Sequence, residues 1–165
     1  MNIPKYIILH HTGGTDANPL ADTSSHTAVS VDNWHKAKGW DGIGYNWFIE
    51  KDGKVVKGRD ETKSGAHTIG YNDKSIGICL AGNFDATLPT EAQTNSTRVL
   101  LKEKMAQYNI TKEDIVPHRK FATKTCYGKK LADDWGRNLL AIETVDWKSR
   151  AEIAEKKLLT IKSIL

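Results

Sequence analysis

Residues 5–10 read KYIILH. This short, unbroken apolar run predicts a central strand covered on both faces. A second such run, SIGICLAG at residues 75–82, predicts another buried strand. Between them, AVSVDNWHKAKG (28–39) predicts a helix with Val31, Trp34 and Lys38 on one face and Gly39 as a left-handed stop. GYNWFIEKDGKVVKGR (44–59) predicts a hairpin about Asp52-Gly53, in which Tyr45, Trp47 and Ile49 alternate with Asn46, Phe48 and Glu50. TEAQ (90–93) has capping-box spacing and opens a second helix with Leu101, Met105 and Tyr108 turned inward. DIVPH (114–118) predicts a short strand that delivers His118 to a loop. Strands and helices alternate, so the expected fold is α/β, a mixed central β-sheet flanked by helices.

A chain of 165 residues has one-domain length and can bury a sizeable core. Its formal charge of +4 suits an anionic partner (nucleic acid, a bacterial envelope, a membrane surface) without choosing one. Acidic residues are interspersed throughout, and no nucleic-acid motif accompanies the charge, so nucleic acid is the weakest of these partners. No apolar stretch approaches bilayer length. The N-terminal MNIPKYIILHH lacks the ordered regions of a signal peptide, so a cytoplasmic location at synthesis is expected. Two cysteines make no disulfide framework, and Cys79, inside a buried strand, reads as a small hydrophobe.

VPHRKFATKTCYG (116–128) places His118 and Cys126 eight residues apart, with Lys124 just before the cysteine. On that pair alone the residues read as a loop histidine and an unrelated thiol. His10 closes the first strand, and strand ends are where α/β folds open their sites. Neutral imidazole and thiolate are the usual zinc donors, and two histidines plus one cysteine leave one tetrahedral position for water. Six histidines yield many such triples by chance, so the pattern alone is only suggestive.

Four blocks, IILHHT, NWHKAKGWDGIGYNWFIEKDGKVVKGRDE, GAHTIGYNDKSIGICLAGNFD and HRKFATKTC, carry a more specific message. In this order and spacing the chain resembles the zinc amidases of the peptidoglycan-recognition superfamily, above all the bacteriophage amidases known as phage lysozymes. The resemblance runs over roughly residues 5–137. It implies an N-acetylmuramoyl-L-alanine amidase, which cuts the amide between the lactyl group of muramic acid and L-alanine of the stem peptide. It implies one zinc ion held by His10 (rather than His11), His118 and Cys126, with Tyr45 and Lys124 as catalytic residues. It also places His67 where the family lines its substrate groove, against an equal expectation of a structural loop histidine. The family's proline and glycine after the ligand cysteine are here Tyr127-Gly128, which predicts a looser loop and an added aromatic in the groove.

These roles agree with elementary chemistry. An amide needs a strong nucleophile at neutral pH, which a zinc-bound water of pKa about 7 supplies. The Lys124 ammonium suits an oxyanion. Tyr45 suits a hydrogen bond to the attacking water or a proton relay to the leaving nitrogen. Arg59 reads either as a holder of a stem-peptide carboxylate or as a surface partner of Asp60 or Glu61. Trp40 and Trp47 read as core or groove wall, His35 as a packing histidine, and His11 as an orderer of the strand end.

The expected partner is peptidoglycan or a muropeptide, and the expected state a monomer. A leaderless amidase without an appended wall-binding repeat fits a phage or prophage endolysin that meets the wall after release. A non-catalytic peptidoglycan-binding module of the same fold is the alternative, opposed by the intact set of five residues. The division expected is an amidase domain over 1–145 and an amphipathic helix over 146–165. Trp147, Ala151, Ala154, Leu158, Ile161 and Leu165 form the stripe of that helix, packed on the same domain. A basic surface for anionic envelope lipids is the second reading of that segment.

Overall fold

The structure is a computed structural model that describes residues 1–15 and 17–141. Its elements are β1 (Tyr6–His11), α1 (Ala28–Ala37), β2 (Trp47–Ile49), β3 (Val55–Lys57), β4 (Ser75–Leu80), α2 (Glu91–Tyr108), β5 (Ile115–Pro117) and α3 (Trp135–Asn138). The helix expected over 146–165 lies outside the described residues.

The five strands run in the order β3-β2-β4-β1-β5. β1 is parallel to β4 and β5, β2 is parallel to β4, and only the β2–β3 hairpin is antiparallel. β1 therefore sits inside the sheet, and Ile7, Ile8 and Leu9 are at most 1% exposed, as an unbroken apolar run requires. On one face Ile7, Leu9, Ile49, Ile76, Ile78 and Leu80 pack against Leu100 and Leu101 of α2 and Leu139 beyond α3. On the other face Phe48, Cys79 and Ala81 meet Ala28 and Val31 of α1.

Thr90 and Gln93 form the expected capping box on α2. Leu101 is buried, with Met105 and Tyr108 partly so against the same core. Buried Lys104 of α2 is neutralised by Glu61 at 3.1 Å, and Tyr108 Oη donates to the same carboxylate at 2.9 Å. A buried charge is tolerable only with such partners.

Two expectations need correction. The buried stripe of α1 is Ala28, Val31 and His35, whereas Trp34 is 54% exposed with the Lys38 ammonium 3.7 Å over its ring. A helix turns about 100° per residue, so a stripe through 28, 31 and 35 swings position 34 to the flank. The alternation of the hairpin also slips one place before β2. Trp47 packs into the α2-side core, but Tyr45 packs beside Phe48 on the α1 side. Asn46 causes the slip: its Oδ1 accepts from Gly77 N–H at 2.8 Å and its Nδ2 donates to Arg59 O at 3.3 Å. A buried side chain thus fills a backbone place in the ladder.

Candidate metal centre

Strand parity decides which histidine enters the site. Ile7 and Leu9 face α2, so His11 faces that way too, and Ile8 and His10 face α1. His11 Nδ1 accepts a hydrogen bond from Phe84 N–H at 2.9 Å, ordering the turn after β4. His10 is in register with Cys79, and Cys79 with Phe48. Leu9 pairs with Pro117, so the next residue of that chain, His118, comes to lie beside His10 with ring centroids 4.4 Å apart.

Cys126 completes the group. One donor atom each from His10, His118 and Cys126 lies within 4.8 Å of the other two. His10 Nδ1 and Cys126 Sγ are 3.7 Å apart. Zinc bonds of about 2.1 Å to nitrogen and 2.3 Å to sulfur at a tetrahedral angle set such atoms about 3.6 Å apart, so the donor set fits that ion. Ionisation fits it as well. Burial, then the neighbouring His67 and His118, hold His10 well below the usual imidazole range. Burial and the Lys124 charge also lower His118 from the usual imidazole range. Both rings are therefore neutral donors. Burial pushes the Cys126 thiol up to about 12, a proton that a bound divalent cation displaces.

The loop carrying Lys124 and Cys126 is clamped from two sides. Arg119 donates from Nη1 to Gly128 O at 2.7 Å, from Nη2 to Leu131 O at 2.7 Å and from Nε to Asp133 at 2.6 Å. Its own backbone N–H donates to Cys126 O at 2.6 Å. Asp85 accepts from Thr125 Oγ1 and Lys129 N–H, each at 2.7 Å. Tyr127 does not add an aromatic to the groove. It is 2% exposed, donates its hydroxyl to Ala132 O at 2.6 Å and packs into the core beside Trp135. A large ring at this position gains more from burial than the groove offers, and it anchors the loop rather than loosening it.

Around the donors, Tyr45 lies with its ring 5.1 Å from that of His10. Burial, then the Cys79 and Cys126 thiols, raise its phenol well above the ordinary range, so it is a neutral hydrogen-bond donor. Lys124 is exposed on the same loop as Cys126. His67 Nδ1 stands 3.1 Å from His10 Nε2, and burial lowers its pKa to about 3. His35 Nδ1 accepts from Gly44 N–H at 3.1 Å, with its ring 4.5 Å from that of Trp40, which is 42% exposed. Arg59 pairs with Asp41, not with Asp60 or Glu61, and its Nε donates to Ile43 O at 3.1 Å. Glu61 is already committed to Lys104, and Asp60 to Lys57 at 3.7 Å. Of the residues named from the sequence, the structure gathers His10, His118 and Cys126, sets the Tyr45 ring beside His10, and leaves Lys124 exposed two residues before Cys126. The sequence reading missed Arg119 and Asp85, whose only sequence signal is a charge flanking a ligand block.

Two imidazoles at the ends of parallel strands and a thiol from the loop that follows, with a neutral phenol and a lysine at hand, are the equipment of a hydrolase that works through a bound metal. Comparison with known proteins narrows this class. Residues 1–129 match the family described as N-acetylmuramoyl-L-alanine amidase. The endolysin of Escherichia phage T7 is 41% identical over 118 residues, covering 67% of this chain and 75% of that protein. The amidase LysC from Clostridium intestinale URNW superposes with a TM-score of 0.73 at 32% identity, over 86% of this chain and 88% of that one. A Drosophila PGRP-LB mutant in complex with tracheal cytotoxin gives 0.67 at 26% identity, over 79% of each chain. The chain belongs to the N-acetylmuramoyl-L-alanine amidase family, and it is an enzyme of that activity.

Proposed function

We propose that this amidase cuts the muramyl–L-alanine amide of peptidoglycan with one zinc ion held by His10, His118 and Cys126, as an endolysin of a phage or prophage. The observation that carries the reading is the donor cluster His10, His118 and Cys126, the one such cluster among the described residues, with Tyr45 against it and Lys124 on the loop of Cys126. When bound, zinc supplies a water nucleophile at neutral pH and a Lewis acid for the carbonyl. The chain's own residues do the rest. Tyr45, held neutral by burial, donates a hydrogen bond to the attacking water or passes a proton toward the leaving nitrogen. Lys124 offsets negative charge developing on the carbonyl oxygen from the rim of the site. Trp40 forms a wall of the approach, and Arg59, steadied by Asp41, offers its remaining donors to a stem-peptide carboxylate. The enzyme is made in the cytoplasm, reaches the wall after release and acts as a monomer. Among the described residues no helix is long and apolar enough to cross a membrane.

The test is product chemistry. Purified protein is expected to release free amino termini of L-alanine from peptidoglycan, with loss on chelation and recovery on adding zinc. Cys126→Ser and His118→Ala lose zinc, whereas Tyr45→Phe and Lys124→Ala keep zinc and lose turnover. New reducing sugar ends, or normal turnover in Lys124→Ala, would refute the assignment.

A further inference from the structure

We infer that Ser75 and His67 form a hydrogen-bond relay that fixes the tautomer of His10, which makes His67 a positioning residue for a metal ligand. The inference rests on the proposed ligand role of His10.

The relay begins at a backbone carbonyl. Ser75 Oγ donates its only proton to Tyr71 O at 2.6 Å. Its lone pairs then face His67 Nε2 at 3.5 Å, and a hydroxyl that has spent its proton can only accept. The proton of neutral His67 therefore sits on Nε2, and Nδ1 is bare. Bare Nδ1 meets His10 Nε2 at 3.1 Å, so His10 carries its proton on Nε2. That leaves His10 Nδ1 unprotonated on the side of Cys126, 3.7 Å from the sulfur. The opposite tautomer of His67 would put a proton on His10 Nδ1 and close that donor to a metal. Thr68 Oγ1, 3.0 Å from His67 Nδ1 and 3.4 Å from His10 Nε2, is the nearest alternative partner and fits the same proton order.

The fold holds His67 in this place. A Cβ on Gly77 would come within 2.5 Å of the ring, and one on Gly65 within 2.6 Å, so two glycines open the slot it occupies. Asn72 Oδ1 accepts from both His67 N–H and Thr68 N–H at 2.8 Å, fixing the backbone that carries it. Ser75, Gly77 and Cys79 share the sheet face of His10, which is why one strand supplies the relay's start and its slot. Both ring nitrogens of His67 thus face protein groups.

The experiment is zinc affinity by chelator competition, with tautomers read by ¹⁵N NMR of the imidazoles in the zinc-loaded protein. His67→Leu is expected to weaken zinc about 10–100-fold, the usual effect of losing such a partner. His67→Asn, whose Oδ1 stands where Nδ1 stood, is expected to restore most of that loss. NMR is expected to show protons on Nε2 of both His10 and His67. Unchanged zinc affinity in folded His67→Leu, or a bare Nε2 on His67, overturns the relay; if His67→Leu does not fold, the NMR result decides alone. Cys126→Ser separates the two readings: if it too leaves affinity unchanged, the ligand assignment itself has failed.

Discussion

Arg119→Lys tests whether the ligand loop is held by a guanidinium fork rather than by charge. Arg119 spans Gly128 O, Leu131 O and Asp133 with four nitrogen contacts in one plane, and its side chain is 22% exposed. Lysine keeps the charge but cannot reach both carbonyls at once. Gly128 and Leu131 are buried, so at least one carbonyl loses a charge-assisted bond without water to replace it. Each such loss costs about 1.5–3 kcal/mol, and the partial exposure of Arg119 brings the sum to about 2–3 kcal/mol. The same change frees the segment between His118 and Cys126, and a shift of about 1 Å there would lower turnover on the order of 100-fold. Urea unfolding of the zinc-loaded protein and turnover on a soluble muropeptide measure the two effects. Asp133→Asn is the control. Asp133 is 71% exposed, so its loss should cost under about 1 kcal/mol. An Arg119→Lys protein with wild-type stability and turnover would refute the clamp.

Further outcomes are expected. In the metal-free protein, burial lowers His67 to about 3 and His11 to about 4, against 6.5 in an unfolded chain. Below pH 6.5 the unfolded state takes protons that the folded state refuses, so stability is full above that pH and is lost toward pH 4. At pH 5 each histidine removes about 2 kcal/mol, and a urea midpoint that stays flat from pH 8 to pH 5 would contradict it. Tyr127→Phe should lose about 1 kcal/mol with little change in KM, because its hydroxyl serves Ala132 O in the core; a large change in KM would place the ring in the groove after all. Removal of residues 146–165 should lower Tm and affect soluble muropeptide and whole wall alike; a selective loss on whole envelopes with unchanged Tm would point to targeting instead.

Local chemistry wrote much of this protein into its sequence. β1 and β4 are legible because unbroken apolar runs have no stable place except inside a sheet. The start of α2 is legible because Thr90 and Gln93 satisfy each other's backbone across three residues. The cluster of His10, His118 and Cys126 could be named only through the family resemblance that their sequence blocks carry, since the residue pattern alone is no more than suggestive. What the chain could not disclose lies in contacts between residues far apart along it. Tyr45 leaves the phase of its hairpin because Asn46 meets Gly77, 31 residues away, and no periodicity reports that. Tyr127 turns inward because the core beside Trp135 has room for a ring. Arg59 takes Asp41 because Lys104, 43 residues beyond Glu61, has claimed that carboxylate. His67 meets His10 only because β4 runs beside β1, and because Gly77 of β4 and Gly65 of the loop before it leave room for the ring. Propensity and periodicity act within a few residues, whereas these pairings depend on strand register and on the space that distant neighbours leave.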